Sequence, residues 1–280
     1  MGPSLKNSRY LRALLSMLLV FITATSRAAE PPPLVIGITP FISTVALYKR
    51  FSPLSHYLSQ QLGREVIIET VKNPELFSQE IGRHRYDLIF ATPVMTLTAL
   101  DGGHYNIGVA SERKILPLLL VKGQSFIEHP KQLANKKVAL PPRVSAINIM
   151  AKKWFISKGL KPEELPEFIH YNSHNAAYQA ALSGDVDATF VASFAVKQMR
   201  KKLPLLRIID NADYLPGSSI LYAHSVDHAL QRELTRLLVQ MKYSQQGRDV
   251  LNQISQPPFR EAIGSEYEVI RPYLASELGM

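Results

Sequence analysis

The chain has no cysteine. Disulfides, a thiol nucleophile and thiolate metal sites are thereby excluded together, as is the cysteine that would carry a lipoprotein anchor. At 280 residues the chain is long enough to be held by a hydrophobic core alone. Catalytic signatures are missing as well. There is no Gly-x-Ser-x-Gly elbow, no His-Glu-x-x-His helix and no phosphate-cradling glycine loop, so neither an enzyme nor a cofactor is expected. His224 and His228, with Asp227 between them, are spaced like metal ligands but straddle a strand end and a helix start, which makes a poor metal site. Long apolar runs are scarce too. The one at 13–24, ALLSMLLVFITA, falls short of the about 20 residues that a bilayer span requires.

That run lies between Lys6, Arg9 and Arg12 on one side and the small-residue stretch TSRAA on the other. A basic segment, a short apolar segment and a small-residue cleavage region define a secretory signal peptide. Residues 1–28 are expected to be one, cut after Ser26 or Ala28, with an uncleaved anchor as the alternative. The mature protein is then exported and soluble. The formal charge of +9 is partly an effect of this leader, because Lys6, Arg9, Arg12 and Arg27 fall in its 28 residues, which hold no acid. The remaining lysines come in scattered pairs (136–137, 152–153, 201–202) without interleaved aromatics. Such a pattern excludes nucleic acid as the expected partner and leaves an attraction for small anions. Hydrophobic residues at 46% and charged residues at 20% describe an ordinary globular domain.

What is present is an alternation of strands and helices. LVIGITP at 34–40 reads as a buried strand. The stretch 44–62 reads as a helix, with Leu47, Phe51, Leu54, Leu58 and Leu62 near helical spacing and Gly63 as its stop. A strand at 66–71, a helix at 74–81, a strand at 87–91 and a helix at 94–100 follow. A second series has a strand at 136–142, a helix at 145–158 ending at Gly159, a strand at 166–172 and a short strand at 206–210. Two runs share one grammar: NPELFSQEIGRHRYDLIFATP at 73–93 and YNSHNAAYQAALSGDVDATFV at 171–191. Each has polar starters, an amphipathic helix stopped by glycine, an aspartate and an apolar strand. The aspartates, Asp87 and Asp187, are expected to satisfy backbone donors. Strands separated by helices imply parallel pairing and an α/β fold. Two long apolar strands without helices of their own, 114–123 and 215–225, are the expected crossovers between two similar lobes. A helical tail covers 226–278. Ligands in such sheets sit beyond the carboxyl ends of the strands, here in the cleft between lobes.

These segments resemble the phosphate/phosphite/phosphonate-type substrate-binding proteins of ABC importers. The resemblance runs through ITPFIS, PLSHYLSQQLGREV, YDLIFATP, KQLANKKVAL, LPGSSILY and YSQQGRDVLNQI, and is most specific in SHNAAYQAALSGDVDA. It implies a type II two-lobed periplasmic binding protein, a hinged clamp. Lobe I is expected to comprise 29–120 with 221–280, and lobe II 121–220. It further implies a monomer in the periplasm that captures a small, phosphonate-like anion and delivers it to an importer permease. A sensory module that presents its bound form to a membrane signalling protein is the alternative. Residues expected at the ligand are Thr39 and Phe41 after the first strand, Thr92 and Pro93 after the third, and Ser193 at the equivalent turn of the second unit. Arg143, Val144 and Ser145 are expected to form an anion loop at a helix start, although Ser145 also reads as a plain N-cap and Arg143 as an exposed loop residue. His174, which related proteins use for ligand oxygens, has a structural reading beside the ligand one. If its protonated ring is the donor, its part in binding should grow at low pH. Departures from the family pattern are visible as well. PPRVSAIN offers one hydroxyl where paired hydroxyls are usual, PVMTLTA places Met95 and Thr96 where an aromatic hydroxyl often lies, and VASFAV has Phe194 and no carboxylate where a ligand amine would be met.

Overall fold

The computed structural model describes residues 31–200 and 206–277; the expected signal peptide lies outside them. Six elements open the fold: β1 (Leu34–Ile38), α1 (Thr44–Leu62), β2 (Val66–Glu69), α2 (Pro74–Gly82), β3 (Leu88–Ala91) and α3 (Pro93–Asp101). β1 pairs parallel with β2 and with β3, and its residues are almost wholly buried, as a strand covered on both faces must be. α1 covers one face through Leu47, Phe51, Leu54, Tyr57 and Leu58, all buried, each contributing about 1.5–3 kcal/mol of burial. It ends where Gly63 adopts φ 58, a conformation that a residue with a Cβ adopts only at a cost.

β4 (Tyr105–Ser111) follows, and the chain then leaves for a second sheet. There it forms β5 (Pro117–Lys122), β6 (Lys137–Leu140), α4 (Ala146–Ser157), β7 (Glu167–His170), α5 (His174–Ser183), β8 (Ala188–Ala192), α6 (Ser193–Arg200) and β9 (Leu206–Asn211). It returns as β10 (Ser219–Ala223), followed by α7 (His228–Gln240), α8 (Gln245–Gln253), the short strand β11 (Phe259–Glu261) and α9 (Arg271–Glu277). Among the described residues no helix is long and apolar enough to cross a membrane.

The sheet orders, β11-β4-β10-β3-β1-β2 and β7-β6-β8-β5-β9, are the same pattern built twice. β1 and β6 each stand second from one edge, between two parallel neighbours. The fourth strand of each sheet is antiparallel and arrives from the other sheet: β10 between β3 and β4, and β5 between β8 and β9. Each sheet therefore borrows one strand position from the far side of the crossing. The expected long strands are present, but the passage itself occupies 112–116 and 212–218, so β5 lies wholly in the second sheet although the lobe boundary was expected at 120/121. The two crossings run side by side. Ile115 and Leu215 exchange both backbone hydrogen bonds at 2.8 Å. A Cβ on Gly217 would stand 2.7 Å from the Arg113 carbonyl oxygen, so only glycine lets the strands approach so closely. The tail adds another contact, because Lys153 on α4 donates to the Pro272 carbonyl oxygen on α9.

The shared grammar of the two units has a physical basis. Asp87 Oδ2 accepts the Val35 N–H at 2.8 Å while Val35 O accepts the Asp87 N–H at 2.9 Å. Asp187 does the same with Lys137, at 2.9 Å in both directions. Each aspartate thus clamps the start of one parallel strand to the start of its neighbour. The glycine stops differ, however. Gly184 is left-handed at φ 92, whereas Gly82 remains helical and the left-handed residue is His84 at φ 58. α2 still ends on Gly82, but the chain takes its left-handed turn two residues later, at His84.

Candidate ligand-binding cleft

A cleft of about 660 Å³ opens between the two sheets, and its walls are the segments that follow the carboxyl ends of β1, β3, β6, β7 and β8. On the first side these are Phe41, Thr92 and Pro93. Thr92 is the N-cap of α3, yet its side chain makes no capping bond. Its Oγ1 is buried without any partner. A second buried orphan, Gln256 Nε2, belongs to another cleft residue, whose Oε1 accepts from Ser218 Oγ at 2.9 Å. Buried polar atoms are nearly always satisfied, so two orphans in one cleft mark a surface that lacks a partner.

On the second side the loop after β6 closes as a turn, with the Ser145 N–H donating to Pro142 O at 2.8 Å. Val144 and Ser145 line the cleft. Ser145 is the N-cap of α4 but makes no side-chain cap bond, which leaves its hydroxyl available beside first-turn amides that have no intrahelical acceptor. α5 is capped differently: Ser173 accepts the Ala176 N–H at 3.0 Å, so the next residue, His174, is released from capping. Its Nδ1 accepts the Ala192 N–H at 3.2 Å, which fixes the neutral tautomer with its proton on Nε2. Burial pushes the ring's pKa down to about 4. The donor at neutral pH is therefore the uncharged Nε2–H, and the conditional expectation of a protonated donor is corrected: protonating Nδ1 would break the bond to Ala192 and charge a desolvated ring.

Phe41, Thr92, Pro93, Val144, Ser145 and His174 are thus brought to one cleft, whereas Thr39, Arg143 and Ser193 are not among its lining residues. Thr39 is fully buried and spends its hydroxyl on Phe90 O at 3.1 Å, where it holds the end of β3. Arg143 occupies the outer corner of its turn and is exposed. Ser193 uses its N–H on Leu116 O, and it is Phe194 that reaches the cleft.

The cations come from unforeseen places. Arg50 projects from α1, and Arg113 and Lys114 sit on the crossing. No aspartate or glutamate among the described residues lines the cleft. The nearest in sequence, Glu112, is paired with Lys242 at 2.5 Å. Only the Arg113–Lys114 dipeptide offered a signal, since it stands where the expected crossing strand 114–123 begins. No metal-holding group of three or more His, Asp or Glu exists among the described residues; Asp227 caps α7 through the Ala229 and Leu230 amides, and His224 Nε2 lies 3.2 Å from Asn106 Oδ1.

Two sheets joined by paired crossings around a cleft at the strand carboxyl ends define a two-lobed binding protein of type II, the hinged clamp. Solved structures share this fold. PhnD1 of Prochlorococcus marinus in complex with methylphosphonate matches with a TM-score of 0.76 at 17% identity, over 89% of this chain and 99% of that one. A binding component of an ABC phosphonate transporter from Pseudomonas aeruginosa matches with 0.71 at 15%, over 89% and 87%. A Xanthomonas citri protein bound to ATP matches with 0.72 at 15%, over 87% and 99%. The family model for the periplasmic substrate-binding protein of phosphonate ABC transporters matches residues 36–267, and the chain belongs to that family. No curated protein sequence matches it significantly.

Proposed function

We propose that the protein is a monomer, exported by residues 1–28, that captures a small oxyanion in the cleft and hands it to the permease of an ABC importer. The observation that carries the anionic assignment is the charge of the cleft: Arg50, Arg113 and Lys114 with no acid in the described lining. Low dielectric between closing lobes would strengthen such charge-assisted bonds. Ser145, the amides at the start of α4 and the His174 Nε2–H supply neutral donors, and the orphan Thr92 hydroxyl is available for the same ligand. Thr92, Val144, Ser145 and His174 are the sequence-expected residues we assign to the ligand, with Phe41 and Pro93 as wall. The working lobes are the two sheets with their helices, and the crossings at 112–116 and 212–218 are the hinge. Methylphosphonate in a relative of the same fold supports a phosphonate head group, and family membership supports delivery to an importer. The sensory alternative finds no support in the family or its relatives.

Calorimetric titration with methylphosphonate, phosphate and choline tests the reading. Binding of an oxyanion, weakened by added salt, and no heat with choline is the expected result. Binding of choline with silence from the oxyanions would overturn it.

A further inference from the structure

The cleft holds more apolar surface than an oxyanion needs. Phe41 lies edge-on to Phe51 at 6.0 Å and 79°, and Phe51 edge-on to Phe90 at 4.8 Å and 64°. Phe51 and Phe90 are 1% and 4% exposed, so this series runs from the core of the first lobe out to Phe41 and fixes its ring at the cleft wall. The second lobe contributes Phe194, which is 42% exposed and rests edge-on against His174 at 5.2 Å and 68°. A large ring left this open costs hydrophobic free energy until something covers it. Ile115, Ile147, Ile254 and Pro257 extend the same lining.

Size points the same way. The cleft measures about 660 Å³, within the range of about 300–1,000 Å³ for sites that take drug-sized ligands. Methylphosphonate displaces a few waters' worth of liquid, on the order of 100 Å³ at ~30 Å³ per water. Closure of the lobes shrinks the cleft but does not remove its rings. Charge limits the tail. With no carboxylate in the described lining, a ligand ammonium would be buried unpaired, at high cost.

Resting on the anionic reading above, we propose that the natural ligand is an amphipathic organic anion: one phosphonate-type head and an apolar, ring-bearing tail without an amine. The head takes the Ser145 hydroxyl, the amides at the start of α4 and the His174 Nε2–H. The tail packs against Phe194, whose ring lies on that same imidazole, and against Phe41 from the other lobe. Phe194 and Phe41 then determine specificity, and the donors determine charge.

Two ligands with one head and different tails separate the two readings. By titration calorimetry, phenylphosphonate should bind at least tenfold more tightly than methylphosphonate, a gain of about 1.4 kcal/mol. Phe194→Ala, at an exposed position that folding tolerates, should abolish that preference, bringing the ratio of the two affinities close to one. Phe41→Leu should reduce it in part. Equal affinities, failure of phenylphosphonate to bind, or a preference that survives Phe194→Ala would overturn the proposal. In each of those cases methylphosphonate binding leaves the anionic reading standing. If neither anion binds, both readings fall.

Discussion

His174→Asn isolates one titration in the cleft. In the folded protein Nδ1 accepts the Ala192 N–H at 3.2 Å, a donor that does not release its proton, and burial opposes a charged ring. The pKa is accordingly pushed down from 6.5 to about 4. In the unfolded chain the ring titrates at its ordinary value. Below pH 6.5 the unfolded state therefore binds a proton that the folded state refuses. The stability tied to a neutral His174 is complete above 6.5, declines as the pH falls, and stops declining below about 4, where both states are protonated. At 1.36 kcal/mol per tenfold in proton affinity, the gap between 6.5 and about 4 caps the loss at about 3 kcal/mol. Asparagine does not titrate, and the carboxylates shared by both proteins cancel in their difference. Urea melts of wild type and variant, from about pH 7.5 to about pH 4.5, should show the wild type losing about 2–3 kcal/mol relative to the variant. Parallel profiles would refute the buried neutral ring. The same tautomer implies that wild-type affinity for a phosphonate does not rise as pH falls toward 5, because the Nε2 proton is already in place.

Three further outcomes follow from the cleft and the crossings. Thr92→Val removes a buried hydroxyl that has no hydrogen-bond partner within the protein, so the thermal midpoint should hold or rise slightly, while phosphonate affinity drops about tenfold or more, as for a bond to a charged group worth ~1.5–3 kcal/mol; loss of stability without loss of affinity would show that the hydroxyl serves the fold. The double change Arg113→Gln, Lys114→Gln should weaken oxyanion binding and flatten its salt dependence in titrations at two ionic strengths, and an unaltered salt slope would move the charge site elsewhere. Gly217→Ala puts a Cβ 2.6 Å from Ser111 Cβ and 2.7 Å from Arg113 O, so chemical denaturation should register a cost of about 1–3 kcal/mol; a neutral effect would mean that the crossings are looser than their spacing shows.

The fold was legible where one face repeats. α1 follows from Leu47, Phe51, Leu54 and Leu58, all of which are buried, and the stops at Gly63, Gly159 and Gly184 each have a positive φ. β4 and β11 were not legible, because Tyr105–Ser111 and Phe259–Glu261 become strands only through antiparallel partners more than a hundred residues away in sequence. The cleft divides in the same manner. Thr92, Val144, Ser145 and His174 follow strands that can be read locally, and position after a strand carried the inference. Arg143 also follows such a strand, but the turn closed by Ser145 N–H on Pro142 O directs it outward, a matter of three residues' geometry rather than of pattern. Arg113 and Lys114 depend on where the crossings lie, and Arg50 and Gln256 on how segments distant in sequence close the cleft. Once each sheet takes its fourth strand from the other side, the two passages must run together, as Ile115 and Leu215 do. Charges on one passage then line the cleft beside the crossings proposed as the hinge. An anion bound there would neutralise cations at the hinge itself, so the charge that selects the ligand would also favour the closed clamp.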